Sequence, residues 1–192
     1  MSEPGSDGLV DLLGQLSVAP PRSLADRLVA RWTRVSGPIG DLYVAFTDEG
    51  ISFARPARAV DDSERVFAEL CRARLSRPLQ PAERPPVGLA DAVRTGRTRS
   101  LRFDLRGVGA FERDVLDATL TIPVGETRSY AWVAGEIGRP RAVRAVGSAL
   151  GRNPVPVLIP CHRVIRSDGS PGQYLFGPDV KESLLRAERQ RG

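Results

Sequence analysis

The sequence predicts an α/β protein with a small N-terminal sheet-plus-helix domain, followed by a mostly helical C-terminal domain that carries a helix-turn-helix. Two observations predict this division. Residues 39–53 are rich in β-formers and contain a turn at 47–50, which is typical of a hairpin. From Phe111 onward, apolar side chains recur at helical spacing instead. We therefore expect three segments: a helical extension over 1–31, the small α/β domain over 32–105 and the helical domain over 106–192.

The N-terminal extension and the segment after the hairpin are predicted from local signals. Ser23 and Asp26 resemble a capping box, and apolar residues continue at helical spacing to Trp32. Such a helix either packs on the main body or docks a protein partner. After the hairpin we expect three elements in chain order: a helix over 61–75, an irregular Pro- and Gly-rich connection over 76–100, and a strand over 101–105.

The C-terminal segment is predicted to contain a helix from Phe111 and then a pair of helices. Ser129 caps a short helix that runs to Ile137, residues 138–140 form a Gly-Arg-Pro turn, and a second helix covers 141–150. The second helix is rich in small residues, which allow it to approach a surface closely. The apolar run over 155–159 that follows is expected to be a buried strand or core segment.

Positive charge is concentrated in one stretch of the chain. The net charge is +5 over 192 residues. Between Thr127 and Arg166, seven arginines face a single acid, Glu136, so these forty residues alone carry +6. Localised positive charge of this kind indicates a polyanionic partner such as nucleic acid.

Composition excludes several classes of protein. No run of apolar residues is long enough to span a membrane, and the first residues lack the features of a secretory signal. Two cysteines, Cys71 and Cys161, do not make a disulfide framework, which favours a reduced, cytoplasmic location. With one histidine and two cysteines, we do not expect a zinc site of the usual Cys/His type.

The most reactive pair in the sequence is Cys161 and His162. His162 is the only histidine in the chain. A cysteine reacts as its thiolate, and a nearby imidazole can take up the thiol proton. Adjacent side chains point in different directions, so the pair alone also fits a buried structural cysteine. Its place after the apolar run favours a reactive thiol at the end of a rigid element.

Five blocks follow one another in order along the C-terminal segment: Ile122-Pro-x-Gly-Glu-Thr-x-Ser-Tyr130, Arg141-Ala-Val-Arg-Ala-Val-Gly147, Asn153-Pro-Val-Pro, Ile159-Pro-Cys-His-Arg-Val164 and Lys181-x-x-Leu-Leu-x-x-Glu188. Together they resemble the C-terminal domain of the O6-alkylguanine-DNA alkyltransferases, or methylated-DNA–protein-cysteine methyltransferases. Gly37-Pro38-x-Gly40 is similar, more weakly, to the start of the family's N-terminal domain. The resemblance implies irreversible, single-turnover transfer of an alkyl group, mainly methyl, from O6 of guanine in double-stranded DNA to the protein's own cysteine.

The resemblance also implies roles for individual residues. Cys161 accepts the alkyl group, and His162 relays the thiol proton through a water. Glu188 orients His162, and Asn153 positions the turn that carries the thiol. This donor set uses no metal and no cofactor.

The same resemblance implies that DNA is bound through the minor groove and that the damaged base is flipped out. Tyr130 pushes on the phosphate, Arg144 fills the vacated place in the stack, and Tyr174 and Val164 line the base pocket and hydrogen-bond to it. Phe176 stands where the family often has glycine, so we expect a narrower pocket that prefers methyl over benzyl-sized adducts. Phosphate contacts are expected from arginines: Arg128, Arg141, Arg144, Arg152 and Arg163.

Three other functions remain open at this point. A non-catalytic sensor of alkylguanine would flip and hold the base without repairing it, but such proteins lack the acceptor cysteine. A regulatory DNA-binding protein would change its partner binding through Cys161 or through residues 1–31. A Cys–His hydrolase would need an oxyanion hole and a third residue, and the sequence shows neither.

Overall fold

A computed structural model describes residues 29–190, and its N-terminal part is built on a four-stranded sheet. The strands are β1 Ala30–Gly37, β2 Gly40–Thr47, β3 Gly50–Pro56 and β4 Leu79–Pro81. They lie in the order β3-β2-β1-β4, with β1 and β3 antiparallel to β2 and with β4 parallel to β1. The predicted hairpin is therefore confirmed as β2 and β3, and β3 is an edge strand.

Helices dominate the chain after the sheet. The described residues form six α-helices: α1 Glu64–Leu75, α2 Leu89–Thr95, α3 Ala110–Leu120, α4 Tyr130–Glu136, α5 Val143–Gly151 and α6 Pro178–Arg189. Two short strands, β5 Arg128–Ser129 and β6 Val164–Ile165, pair in parallel beside them. This mixed α/β architecture, with the sheet first, agrees with the predicted fold class. None of the described helices is long and apolar enough to cross a membrane.

The two faces of the sheet pack against different layers. Alternate residues of a strand point to opposite faces, so Tyr43 and Val44 on β2 belong to different clusters. On one side Tyr43 stacks on Phe67 of α1 with ring centroids 5.2 Å apart. On the other side Val44 belongs to a larger core that reaches Leu116 of α3 and Ile159 beside the cysteine turn. The core is therefore shared between the sheet and the C-terminal helices.

Three predictions about the N-terminal half are corrected. Trp32 lies in β1 rather than in a helix, because that segment pairs with β2 along its whole length. Residues 76–100 are not irregular throughout, since they contain β4 and α2. Residues 101–105 form only one bridge, Phe103 with Ile51 on the edge of β3, and not a strand. The predicted capping box at Ser23 and any partner-binding role of 1–28 lie outside the described residues.

The predicted helix pair of the C-terminal segment is present as α4 and α5. The Ser129 hydroxyl accepts a hydrogen bond from the Trp132 amide at 3.0 Å, which caps α4 as expected. The second helix begins at Val143 rather than at 141. Residues 155–159 are buried but form no strand, so of the two expectations the core segment is the right one.

Candidate active site

The thiol of Cys161 lies at the start of a short 3₁₀ turn, Cys161–Arg163, and is 4% exposed. The fully buried Asn153 holds it there. The Asn153 amide donates to Sγ of Cys161 at 3.2 Å and to the Ile159 carbonyl at 3.0 Å, and its carbonyl accepts from the Val155 amide at 2.9 Å. Burial raises the pKa of Cys161, an effect that the Asn153 hydrogen bond and the charge of Lys181 oppose. The resting group is therefore a thiol that needs a base.

The turn between Asn153 and Cys161 contains a strained residue. Val157 has a φ of +74°, a conformation that is unfavourable for a β-branched side chain. Such a conformation persists only when the surrounding structure determines it strongly. The hydrogen bonds of Asn153 at one end and the bond from the Ile159 amide to the Val155 carbonyl, at 2.8 Å, supply that constraint.

A base for the thiol lies next to it in the chain. Nε2 of His162 is 2.9 Å from Oε1 of Glu188 on α6, and both side chains are buried. Hydrogen bonds from His162 and Arg163 outweigh burial and hold the pKa of Glu188 at about 2, so Glu188 is ionised. An ionised carboxylate accepts, and Nε2 of His162 therefore carries the proton and donates it. Burial lowers the pKa of His162, which leaves a neutral imidazole with a free lone pair on Nδ1.

Arg163 does not have the role predicted for it. It is 3% exposed and donates to both carboxylate oxygens of Glu188, at 2.8 and 2.9 Å. It also donates to the carbonyls of Ile122 and Gly96. The prediction that Arg163 binds DNA is wrong, because its guanidinium is buried and makes its hydrogen bonds to Glu188 and to two carbonyls inside the protein.

Lys181 of α6 is a site residue that the sequence analysis identified only as part of a motif. Its ammonium group is buried and donates to the Val164 carbonyl at 2.6 Å, 5.7 Å from the centre of the Tyr130 ring. Burial lowers the pKa of Lys181 to about 8, and the nearby Cys161 opposes that shift. One signal could have found it: of 28 lysine and arginine residues, it is the only lysine.

A cavity of about 560 Å³ opens beside Cys161. Three predicted residues line it together with the thiol: Tyr130, Arg144 and Tyr174. The buried Tyr174 hydroxyl is not within hydrogen-bonding geometry of any described residue, but it lies close enough to Cys161 for the two groups to interact electrostatically. Burial raises the pKa of Tyr174 well above its ordinary value, so the hydroxyl stays protonated. A buried donor of this kind is available to a ligand.

Two residues predicted to shape the pocket lie outside its lining. Val164 is fully buried, and its carbonyl is bound by Lys181. Phe176 contacts the edge of Tyr174, with ring centroids 5.7 Å apart, and Leu175 lines the cavity in its place. The bulky group at the wall is therefore Leu175, which is 41% exposed.

The remaining predicted DNA contacts differ in availability. Arg144 is exposed in the first turn of α5, and Arg141 is exposed in the turn just before that helix. Arg152 is exposed but pairs with Glu112 at 2.6 Å, and Arg128 is half-buried and pairs with Glu126 at 2.7 Å. Among residues 29–190, no group of three or more His, Cys, Asp or Glu side chains could hold a metal ion.

Comparison with known proteins identifies the family of this chain. The chain is 34% identical over 164 residues to a methylated-DNA–protein-cysteine methyltransferase of Methanosarcina barkeri, a match that covers 80% of this chain and 94% of that protein. The chain belongs to the methylated-DNA–protein-cysteine methyltransferase family. Residues 110–190 also match the family model of the 6-O-methylguanine DNA methyltransferase DNA-binding domain.

Two further relatives of this methyltransferase family are informative. The methyltransferase of Mycolicibacterium paratuberculosis is 50% identical over 90 residues, which cover 47% of this chain and 54% of that protein. The crystal structure of Mycobacterium tuberculosis OGT in complex with DNA has a TM-score of 0.66 and 32% identity, and the match covers 85% of this chain and 94% of that one. The fold of the family therefore extends over most of the chain, sheet included.

Proposed function

We propose that this protein repairs DNA by moving an alkyl group, mainly methyl, from O6 of guanine to Sγ of its own Cys161. One observation carries the proposal: Cys161 lies at the wall of a cavity beside α5, next to a neutral His162 that Glu188 orients. Membership of the methyltransferase family and the likeness to a DNA-bound relative support it. The thioether product has no ready route back to the thiol, so each molecule acts once.

The helix pair supplies the DNA-binding surface in this proposal. The helices α4 and α5 act as a helix-turn-helix whose second helix enters the minor groove, with exposed Arg144 in its first turn and exposed Arg141 in the turn before it. Phosphate contacts from such arginines bind duplexes with little regard to sequence. Arg144 and Tyr130 both line the cavity, so a base that leaves the duplex beside these two residues enters it.

The damaged base must leave the stack to react, because O6 of guanine is not accessible to the thiol inside a duplex. Tyr130 displaces the phosphate and Arg144 occupies the empty position, which offsets an unstacking cost of a few kcal/mol. The Tyr174 hydroxyl, buried and free to donate, then hydrogen-bonds to the flipped base.

The transfer is a displacement on carbon. The thiol proton passes to Nδ1 of His162 through a water, the bond from Sγ to the alkyl carbon forms, and the bond from that carbon to O6 breaks. The departing guanine gains one proton, which balances the proton lost by the thiol. His162 returns that proton to the base through water, the Tyr174 hydroxyl donates a hydrogen bond to the leaving base without losing its own proton, and Asn153 keeps Sγ directed at the cavity.

The test is intact-protein mass spectrometry after mixing the protein with duplex DNA that carries one O6-methylguanine. We expect the wild type to gain one methyl group stoichiometrically, whereas Cys161→Ala gains none. Cys71→Ala is the matched control, because Cys71 is the other buried cysteine and should leave the gain unchanged. Binding to the lesion without any gain in mass would favour the sensor function instead.

A further inference from the structure

The edge strand of the N-terminal sheet is bonded to the turn that carries the active-site asparagine. The Ala54 amide on β3 donates to the Pro154 carbonyl at 2.9 Å. Nη1 of Arg55 donates to the same carbonyl at 3.2 Å. Pro154 directly follows Asn153, whose amide holds Sγ of Cys161. Pro154 is therefore the one residue between the sheet and the residue whose side chain contacts the thiol.

The contacts of Arg55 hold its guanidinium in one place, so that its hydrogen bond can fix the position of the Pro154 carbonyl. Its guanidinium lies 4.1 Å from the centre of the Phe53 ring, and Nη1 also donates to its own strand at the Ala54 carbonyl, at 2.6 Å. Phe53 in turn packs on Phe67 of α1 with ring centroids 5.7 Å apart. A planar guanidinium stacked on a ring and bonded at one end loses little further freedom when it makes a second bond.

The turn needs an external support of this kind. It contains the strained Val157, and its own hydrogen bonds run between residues of the same short segment. With two donors the Pro154 carbonyl has both lone pairs occupied, which leaves the peptide group between Pro154 and Val155 little freedom to rotate. The N–H of that same peptide group donates to the side-chain oxygen of Asn153 at 2.9 Å. A small rotation there would move the Asn153 amide away from Sγ.

We propose that Arg55 is a positioning residue for alkyl transfer, which fixes the Asn153 turn and thereby the direction of the Cys161 thiol. The proposal rests on the proposed function, since it concerns the rate of that transfer. It assigns to the N-terminal sheet a part in the reaction that is separate from DNA binding. Arg55 itself does not line the cavity beside Cys161.

The experiment separates transfer from binding and from folding. The first-order rate of methyl transfer is measured at saturating O6-methylguanine duplex, and the Kd for the same duplex is measured on Cys161→Ala backgrounds. Arg34→Met is the matched control, because Arg34 also lies over an aromatic ring, Tyr43, and bonds within the sheet, but makes no bond to Pro154. Thermal unfolding is recorded for every variant.

We expect Arg55→Met to lower the first-order rate by about 10-fold or more, a loss typical of a small misplacement of a reacting group, with Kd unchanged. Arg34→Met should keep the wild-type rate. Arg55→Lys, which retains a charged donor, should recover part of the loss, whereas Arg55→Met can still contact the Phe53 ring but has no donor for the Pro154 carbonyl. If Arg55→Met does not fold, Arg55→Gln replaces it, with the same expected loss of rate.

Two results would overturn the inference. One is a wild-type transfer rate in folded Arg55→Met or Arg55→Gln, and the other is a loss of rate that merely follows Kd. The wild type separates this from the proposed function: if it gains no methyl group, the proposed function fails, whereas a reactive wild type with an equally reactive Arg55 variant refutes only the role of Arg55.

Discussion

The carboxylate of Glu188 accepts a hydrogen bond from Nε2 of His162 at 2.9 Å, although the two residues are 26 positions apart in the chain. Arg163, the neighbour of His162, donates to the same carboxylate, and so does the Gly125 amide at 3.2 Å. Glu188 is thus the point at which α6 is joined to the cysteine turn. Its charge fixes the tautomer of His162, and its other bonds fix its own position.

Removing the charge of Glu188 tests this arrangement directly. In Glu188→Gln the side chain can no longer balance Arg163, and it can offer its amide instead of an oxygen to His162. We expect the transfer rate of the folded protein to fall by on the order of 100-fold, the usual scale for losing an acid–base partner. The free energy of unfolding should fall by about 3–5 kcal/mol, because Arg163 is left buried and unpaired.

Single-turnover kinetics and urea unfolding measure the two effects of Glu188→Gln. Glu182→Gln is the matched control, since Glu182 is exposed on the same helix. A wild-type rate in folded Glu188→Gln would show that the pair with His162 is not needed for the reaction.

Gly96 is predicted to be required for space as well as for backbone conformation. A Cβ at Gly96 would lie 2.9 Å from Oε1 of Glu188 and 3.0 Å from Nη2 of Arg163. Gly107 has nearly the same φ, +77° against +74°, but a Cβ there would meet nothing within 4 Å. Both alanine variants should therefore lose about 1–2 kcal/mol from the left-handed backbone, and only Gly96→Ala should also slow transfer.

The comparison of Gly96→Ala with Gly107→Ala needs a thermal unfolding curve and a transfer rate for each. Equal transfer rates in the two variants would mean that Glu188 and Arg163 can shift without consequence for His162. A lower rate in Gly96→Ala alone would identify α2, an N-terminal helix, as part of the support for the active site.

How far the sequence predicts the site can be judged from its charged residues. Cys161, His162 and Glu188 were predicted from the only Cys-His pair and the family motifs, and the structure brings the three together. Arg163 has the same charge in the sequence as the exposed arginines, but the fold places it 3% exposed against Glu188. Sequence gives the charge of a side chain, and only the packing of distant segments gives its burial.

In the fold, too, the sequence predicts the features that depend on neighbouring residues and misses those that depend on contacts between distant segments. The hairpin of β2 and β3 and the cap at Ser129 depend on neighbouring residues, and the sequence predicts both. The strand β1 was missed because its pairing partner, rather than its own pattern, makes it a strand. The bonds from Ala54 and Arg55 to Pro154 join residues about a hundred positions apart, which no local pattern records.

Salt dependence should distinguish the exposed arginines of α5 from arginines elsewhere. We expect Arg141→Gln to weaken binding to damaged and undamaged duplexes alike, and to reduce the slope of log K against log salt by about 1. Arg144→Gln should in addition reduce the preference for the damaged duplex, because in the proposed function its side chain takes the place of the flipped base. Arg65→Gln on α1 is the control, and it should leave the slope unchanged.

Fluorescence anisotropy at several salt concentrations measures these slopes, with Cys161→Ala as the background so that no transfer occurs. If Arg141→Gln and Arg65→Gln had the same slope, α5 would not be the surface that meets the phosphates. An unchanged preference in Arg144→Gln would remove its role in replacing the base.

The size of the alkyl group should be limited by Leu175 rather than by Phe176. The wild type is expected to prefer methyl over benzyl adducts, as the sequence predicted, but Leu175 is the side chain at the cavity wall, and Phe176 lies against the edge of Tyr174. Leu175→Ala should therefore raise the rate with O6-benzylguanine relative to O6-methylguanine, because it enlarges the cavity. Phe176→Ala should change that ratio less and lower both rates, because Tyr174 loses its contact. Both rates are measured with the two substrates in competition. If Phe176→Ala changed the benzyl-to-methyl rate ratio more than Leu175→Ala does, Phe176 rather than Leu175 would limit the size of the alkyl group.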